Sequence, residues 1–479
     1  MAAALTSVPI GKLPVERFAR VLPPDRWSRV VDAVERARKV FGGRVIWNIN
    51  STAVGGGVAE MLLSLLAYAH GAGVDARWLV ISGNEAFFQI TKRIHNNLHS
   101  APGDGGPLGD AEREIYESAL APNLAELVDL VRPEDVVIVH DPQPAGLIPV
   151  LKRQTGAAVI WRCHVGIDVP TDIARRAWKF LIPYVEPADA YVFSRRAFVW
   201  EGLDDAKITV IPPVIDAFSP KNQELDAATV RAILRVAGFD ADSADSPGGE
   251  PVFTREDGSP GRVERRAEIR EGGPLRADDP MVLQVSRWDR LKDPMGVIRG
   301  FVDHIAPHSD AHLVYAGPAV SAVADDPEGK EVLDEIYELC DRLPSDVLPR
   351  MHLACLPMDD REENAAMVNA LQRRANVVVQ KSIAEGFGLT VAEAMWKARP
   401  VVASRIGGIQ DQIVDGVTGV LLDDPFDLAT YGAAVRDLLQ DPERAERLGR
   451  EAQQRVRDEF LAVRSLLQYL DLIGRLVGA

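Results

Sequence analysis

Short apolar runs alternate with stretches of helical periodicity in two series along the chain, and a polar segment separates them. Residues 25–41 carry Trp27, Val30, Val31, Val34 and Phe41 at the spacing of one helical face, which predicts a helix packed on the first series. Strands are predicted at 44–50, 76–81, 136–139, 157–162, 191–193 and 208–211, with a helix at 58–70. β-Branched and aromatic runs that alternate with helices imply a parallel sheet covered on both faces.

The pattern stops near Pro213 and restarts near Met281. Between them, residues 240–279 are rich in Gly, Pro, Asp, Glu, Arg and Ser, so a solvent-exposed insertion with little or no core is expected, part of it a hairpin. The second series predicts strands at 281–285, 312–316, 350–356, 376–379, 401–403 and 419–422, and helices at 294–305, 329–343 and 362–374. A helical tail at 442–477 offers Leu448, Val456, Phe460, Leu466, Leu467, Leu470, Ile473 and Leu476 for packing. The expected organisation is a Rossmann-like acceptor domain over 1–215, a linker with the polar insertion over 216–280, a Rossmann-like nucleotide-sugar domain over 281–440, and C-terminal helices over 441–479 packing across the domains. The fold class is therefore α/β, with two doubly wound domains facing across a cleft. Such sheets bind ligands at the carboxyl ends of their strands, which makes the cleft the expected site.

Length and composition agree with this reading. At 479 residues the chain exceeds one ordinary core. A formal net charge of −16 excludes sequence-independent binding to DNA or RNA, which needs surplus Lys and Arg, and leaves room for a local basic pocket around one diphosphate. Cys163, Cys340 and Cys355 are widely spaced and odd in number, so neither a disulfide framework nor a CxxC metal site is expected, and a reducing cytoplasm fits. Residues 1–20 lack a basic region followed by an apolar stretch, and no run approaches 18 apolar residues, so no secretion signal or membrane span is expected.

The most informative motif is 381–395, where Glu385 and Glu393 flank a turn holding Gly386 and Gly388 ahead of a helix predicted to start near Leu389. Glu393 then lies about one turn inside the helix, roughly 6 Å along its axis from the turn, and one ligand can touch both acids. First-turn amides at Gly388, Leu389 and Thr390 suit a phosphate, and the carboxylates suit sugar hydroxyls. The plainer alternative is a helix start with one surface and one edge glutamate. In the second half, 286–292 follows the first strand with Arg287 and Lys292, a forked donor and a point charge for a diphosphate, or else solvated surface. In the first half, 48–60 joins strand to helix through Gly55, Gly56 and Gly57, which is neither a spaced GxGxxG nor a P-loop. Polar groups at 140–144 and 163–168 follow further strands, and a histidine there is as readily structural as functional. His304, His308 and His312 are discounted as a metal site because Pro307 breaks their helix, and Asp240 with Asp242 because they lie in the insertion.

Arg287 with Lys292, the 385–393 element and the run 405–419 together resemble retaining glycosyltransferases of the GT-B fold, family 4. Asn50, Ser51 and Thr52 with 55–60, the motifs at 140–144 and 161–164, 325–329 and 393–397 look like the trehalose glycosyltransferring synthases. The resemblance covers nearly the whole chain apart from 240–279. It implies transfer of glucose from a nucleoside diphosphate glucose to C1 of free glucose, giving α,α-trehalose with retention. His164, Arg287, Lys292 and Glu385 are the implied catalytic residues. Donor binding falls to Gly56, Gly57, Arg287, Lys292, Glu385, Gly386, Phe387, Gly388, Leu389, Thr390 and Glu393, and acceptor binding to Asn50, Gly55, Glu60, Asp141, Gln143 and His164. No tightly bound cofactor or metal is implied, although Mg2+ is compatible as a diphosphate counterion and a homodimer is left open. The expected partners are small molecules (nucleotide sugar, glucose and trehalose), with no nucleic acid and no membrane. A trehalose phosphorylase, another family 4 glucosyltransferase, a sugar-nucleotide epimerase and a sensor without turnover are the alternatives.

Overall fold

The computed structural model describes residues 4–53, 56–240, 249–320 and 327–478, and divides into two compact units. The first comprises Met1–Val214 and Ala462–Ala479. Its strands are β1 (Leu5–Val8), β2 (Val45–Asn50), β3 (Asp75–Ile81), β4 (Val136–His140), β5 (Ala158–Cys163), β6 (Ala190–Phe193) and β7 (Ile208–Val210). They lie in the order β1-β3-β2-β4-β5-β6-β7, all parallel except β1, which runs antiparallel to β3. The chain leaves β2 for one side of the sheet and returns at β4 on the other. The loops after β2 and β4 therefore diverge, and the crevice between them is where such sheets take ligands.

Successive residues of a strand face opposite sides. Trp47, Ile49, Val137, Val139 and Trp161 pack into a large core with Phe87, Tyr116 and Phe180, drawn from helices Glu85–Leu98, Asp110–Leu130 and Asp172–Val185. The pattern had left these helices blank. On the other face, Ile46 and Ile138 meet helices Pro24–Val40, Gly56–Gly71 and Ala462–Leu476 around an apolar hollow of ≈ 110 Å³. Strand β1 escaped the pattern because only Leu5 of its four residues is buried.

The second unit is Ile215–Leu461. Its sheet holds β10 (Glu268–Glu271), β11 (Met281–Val285), β12 (His312–Pro318), β13 (Met351–Leu356), β14 (Val377–Gln380), β15 (Val401–Ser404) and β16 (Val420–Leu422), and β8 (Val252–Thr254) and β9 (Pro260–Arg262) form a separate hairpin. The order β10-β13-β12-β11-β14-β15-β16 repeats the plan of the first unit, with the antiparallel strand again at one edge. Here the direction reverses between β11 and β14.

The insertion differs from expectation. Residues 249–279 are anchored: Phe253, Val263, Ala267 and Leu275 are buried, and β10 completes the sheet. Charge does the rest, since Arg255 pairs with Asp360 at 2.6 Å and Arg265 pairs with buried Glu363. Residues 241–248, with Asp242, lie outside the described residues. The helix expected at 294–305 is α-helical over Pro294–Gly300 and widens to a π-helix over Phe301–Ile305. The tail divides at Phe460 and Leu461 into helices Pro442–Glu459 and Ala462–Leu476. His312 Nδ1 lies 2.9 Å from His352 Nε2, and among the described residues no three His, Cys, Asp or Glu side chains cluster to hold a metal. No helix among the described residues is long and apolar enough to cross a membrane.

Candidate active site

In the second unit the loops after β11 and β14 are joined at the point of reversal. Gln284, buried at the end of β11, donates from Nε2 to the Lys292 carbonyl at 2.9 Å and accepts the Lys381 amide at 3.3 Å. The Ile383 amide donates to Leu291 O at 2.8 Å. Lys381, fully buried, pairs through Nζ with Asp293, which caps helix Pro294–Gly300 by accepting from Gly296 N at 3.0 Å. These bonds fix the two residues of interest. Lys292 Nζ lies 2.6 Å from Glu385 Oε2, which also receives Ser382 Oγ at 3.5 Å. Arg287 is exposed at the mouth of the same loop, 2.9 Å from Asp289.

The turn after Glu385 is tightly constrained. Gly388, at φ 80°, is the N-cap of helix Leu389–Trp396, a left-handed geometry that glycine adopts without a Cβ penalty. Thr390 is tied by its hydroxyl to Gln380 Oε1 at 3.0 Å, while the first-turn amides lack carbonyls one turn back and point out of the helix start. Gln412 Nε2 holds the carbonyl of buried Phe387 at 2.6 Å, and Gly408 N donates to Gly386 O at 2.9 Å. Gly407 sits so close that a Cβ on it would stand 1.8 Å from the Glu385 carbonyl oxygen. One turn into the helix, Glu393 is 3% exposed; its Oε1 is 3.6 Å from Lys221 Nζ, and its Oε2 has no hydrogen-bond partner among the described residues. Lys397 Nζ donates to Asn222 Oδ1 at 2.9 Å, and burial pulls its pKa well below the ordinary lysine value, with Glu393 opposing. A cation, outward amides and a buried carboxylate oxygen without a partner together suit an anion joined to a group that donates hydrogen bonds.

In the first unit the polar groups gather at the carboxyl ends of β2, β4 and β5. Gly55 lies outside the described residues; Gly56 and Gly57 open helix Gly56–Gly71, with Glu60 exposed on its second turn. Asn50 is buried and its amide is occupied, accepting Trp78 Nε1 at 2.8 Å and donating to Thr52 O at 2.8 Å. Asp141 has a left-handed backbone (φ 65°) and accepts the His164 amide on Oδ1 at 2.8 Å. Burial pushes its carboxyl up to about 7, against the His164 amide bond and the Arg162 charge. Gln143 follows half-buried. His140 stands between Asn48 and His164: Nε2 is 3.0 Å from Asn48 Oδ1, and Nδ1 is 3.2 Å from His164 Nε2. Burial lowers the His140 pKa to about 3 and that of His164 well below the ordinary value, with Arg162 adding to both. Arg162 itself is 1% exposed; Nη2 donates to Ser194 Oγ at 3.4 Å, and Nε and Nη1 have no partner among the described residues.

Of the expected residues, the structure brings Lys292 and Glu385 together in one unit, and Asp141 and His164 in the other. His140, read from the sequence as either structural or functional, stands between Asn48 and His164. Asn48, Arg162, Gln284, Asp293 and Lys381 drew no role of their own, because their only signal was a polar residue within or just beyond an apolar run.

Similarity to known proteins matches this geometry. Residues 48–200 match the family "Trehalose synthase, N-terminal domain", and residues 265–455 match "Glycosyl transferases group 1". The chain is 37% identical to trehalose synthase of Rubrobacter xylanophilus over 446 residues, covering 93% of each. The chain belongs to the trehalose synthase family of glycosyltransferases. A second family relative, trehalose synthase of Pyrococcus horikoshii, is 32% identical over 98% of both chains. Trehalose phosphorylase of Pleurotus pulmonarius stands further away, at 25% identity over 96% of this chain and 60% of its own length. An α,α-trehalose-phosphate synthase (UDP-forming) from Burkholderia vietnamiensis superposes with a TM-score of 0.64 at 16% identity, covering 90% of this chain and 98% of that one, which shows the shared GT-B fold.

Proposed function

We propose that this glycosyltransferase moves glucose from a nucleoside diphosphate glucose to C1 of free glucose, forming α,α-trehalose with retention. The observation that carries the reading is the Lys292–Glu385 pair beside the Gly388 helix start, at the strand reversal of the second unit. In this reading Lys292 and Arg287 neutralise the diphosphate as the glycosidic bond breaks, and the amides of 386–390 share its oxygens, with Phe387 and Gly388 setting the turn. Mg2+ is compatible as its counterion. Glu385 accepts from donor-sugar hydroxyls, and the Glu393 oxygen without a partner accepts from the ribose.

In this reading His164 serves the anomeric carbon, Asp141, Gln143, Asn50, Glu60 and Gly55 serve the acceptor, and Gly56 and Gly57 serve the phosphates. The depressed pKa of His164 favours a neutral imidazole, and no carboxylate is nominated as a nucleophile. A same-face reaction follows, in which the leaving phosphate takes the proton of the acceptor hydroxyl as the new bond forms. Three buried free cysteines fit a reducing cytoplasm.

A panel of nucleoside diphosphate glucoses with free glucose, read by product identification, tests the proposal. Trehalose from at least one donor is expected. Trehalose cleaved only by inorganic phosphate would mark a phosphorylase instead.

A further inference from the structure

We propose that Asn48 and His140 are positioning residues that hold His164 in the Nε2–H tautomer, so that its Nδ1 offers only a lone pair and accepts a hydrogen bond from a hydroxyl. That the hydroxyl belongs to a sugar rests on the function proposed above.

The assignment follows from what each atom can do. Asn48 Nδ2 donates to Ile46 O at 3.4 Å, which turns Oδ1 toward His140. An amide oxygen only accepts, so the proton at the 3.0 Å contact sits on His140 Nε2. A neutral imidazole with Nε2–H has a bare Nδ1, and that nitrogen lies 3.2 Å from His164 Nε2. The proton of this second contact must therefore come from His164. His164 in turn is left with a bare Nδ1, which takes no hydrogen bond among the described residues. Asp141 does not intervene, because its Oδ1 accepts the His164 backbone amide and not the ring.

The charged and titratable neighbours support the same arrangement. Arg162 stands beside His140 on β5 and disfavours a second proton on either ring, as burial does. Tyr469, from helix Ala462–Leu476, lines the same hollow as Asn48 and His140 and brings no positive charge. The two rings lie 12° from parallel with centroids 5.5 Å apart, and with Asn48 Oδ1 as the terminal acceptor the protons run from His164 through His140 to Asn48. A site built in this way accepts from O–H and gains nothing from fluorine or an ether oxygen at the same position.

The test is nitrogen–proton correlation spectroscopy of the full chain labelled with 15N-histidine at pH 7, the His164 signals being assigned by their loss in His164→Gln. We expect a neutral His164 protonated on Nε2. In Asn48→Asp the new carboxylate draws a second proton onto His140, whose Nδ1–H then donates to His164 Nε2 and drives His164 to the Nδ1–H form. Transfer activity then falls on the order of 100-fold, and it recovers as rising pH removes the extra proton. A purely structural role for Asn48 would leave no such pH dependence. An Nδ1–H tautomer or an imidazolium at His164 in the unsubstituted protein overturns the proposal, as does an unchanged His164 tautomer in Asn48→Asp. If the tautomer is as expected but no donor yields trehalose, the proposed function fails and the positioning assignment stands.

Discussion

Lys292 Nζ and Glu385 Oε2 stand 2.6 Å apart although 93 residues separate them in the chain. Their loops are joined by the Ile383–Leu291 hydrogen bond and by the Gln284 side chain, so the pair is presented by backbone already held in place. If Lys292 stabilises the departing diphosphate, Lys292→Ala lowers turnover by about two to three orders of magnitude. Steady-state kinetics at saturating donor checks this, and an unchanged kcat removes the role.

Arg287 is more exposed than Lys292, and the Asp289 contact steers it. Arg287→Ala is expected to lower turnover by a similar factor, and Arg287→Lys to recover little, because a point charge does not replace a forked donor. Equal rates for the lysine variant and the unsubstituted protein would show that only charge matters there.

Glu393 tests the ground state. Its Oε2 is buried without a partner among the described residues, so a ligand hydroxyl there is bound alike before and during reaction. Glu393→Gln should raise the donor KM about tenfold while kcat changes little. A fall in kcat at constant KM would contradict the ribose assignment.

Lys381 is buried and its partner Asp293 is half-buried, so the pair should act on stability. Lys381→Met leaves Asp293 without its counter-charge and is expected to cost about 3–5 kcal/mol. Adding Asp293→Asn should return part of that. Denaturant midpoints for the single and double variants decide the matter, and additive losses would argue against a coupled pair.

Acid should weaken the first unit. His140, lowered from 6.5 to about 3, is neutral when folded and protonated when unfolded between those values, so its contribution is lost as pH falls through that window. His164 acts in the same direction. Asp141, raised from 3.8 to about 7, has the opposite sign: its contribution is present below about 4 and is lost as pH rises toward 7. Two histidines outweigh one aspartate, so the melting temperature should drop from pH 6.5 to pH 5, and His140→Asn should flatten that drop. A steeper fall in the variant would reverse the assignment.

The parts of the site that were legible in the sequence are local ones. Glu385, Gly388 and Glu393 lie within one turn and one helix, and helical rise alone relates them. Lys381 sat in the same motif without a role, because nothing local says that Asp293, 88 residues away, reaches it. Strands β2, β4 and β5 were legible from their apolar residues, and for that reason Asn48 and Arg162 within them passed as strand residues, while His140, just past the expected strand, stayed open between a structural and a functional reading. In the insertion, charge was read as exposure; Arg255 and Arg265 instead pair with acids at the start of helix Arg361–Arg374.

The apolar hollow of ≈ 110 Å³ beneath β2 and β4 has a mechanical consequence. Loosely packed apolar space in a folded chain disappears when the chain opens, so unfolding shrinks the system. Hydrostatic compression should therefore loosen helices Pro24–Val40 and Ala462–Leu476 from the sheet, and a bulkier side chain at Ala33 or Ala69 should blunt that response.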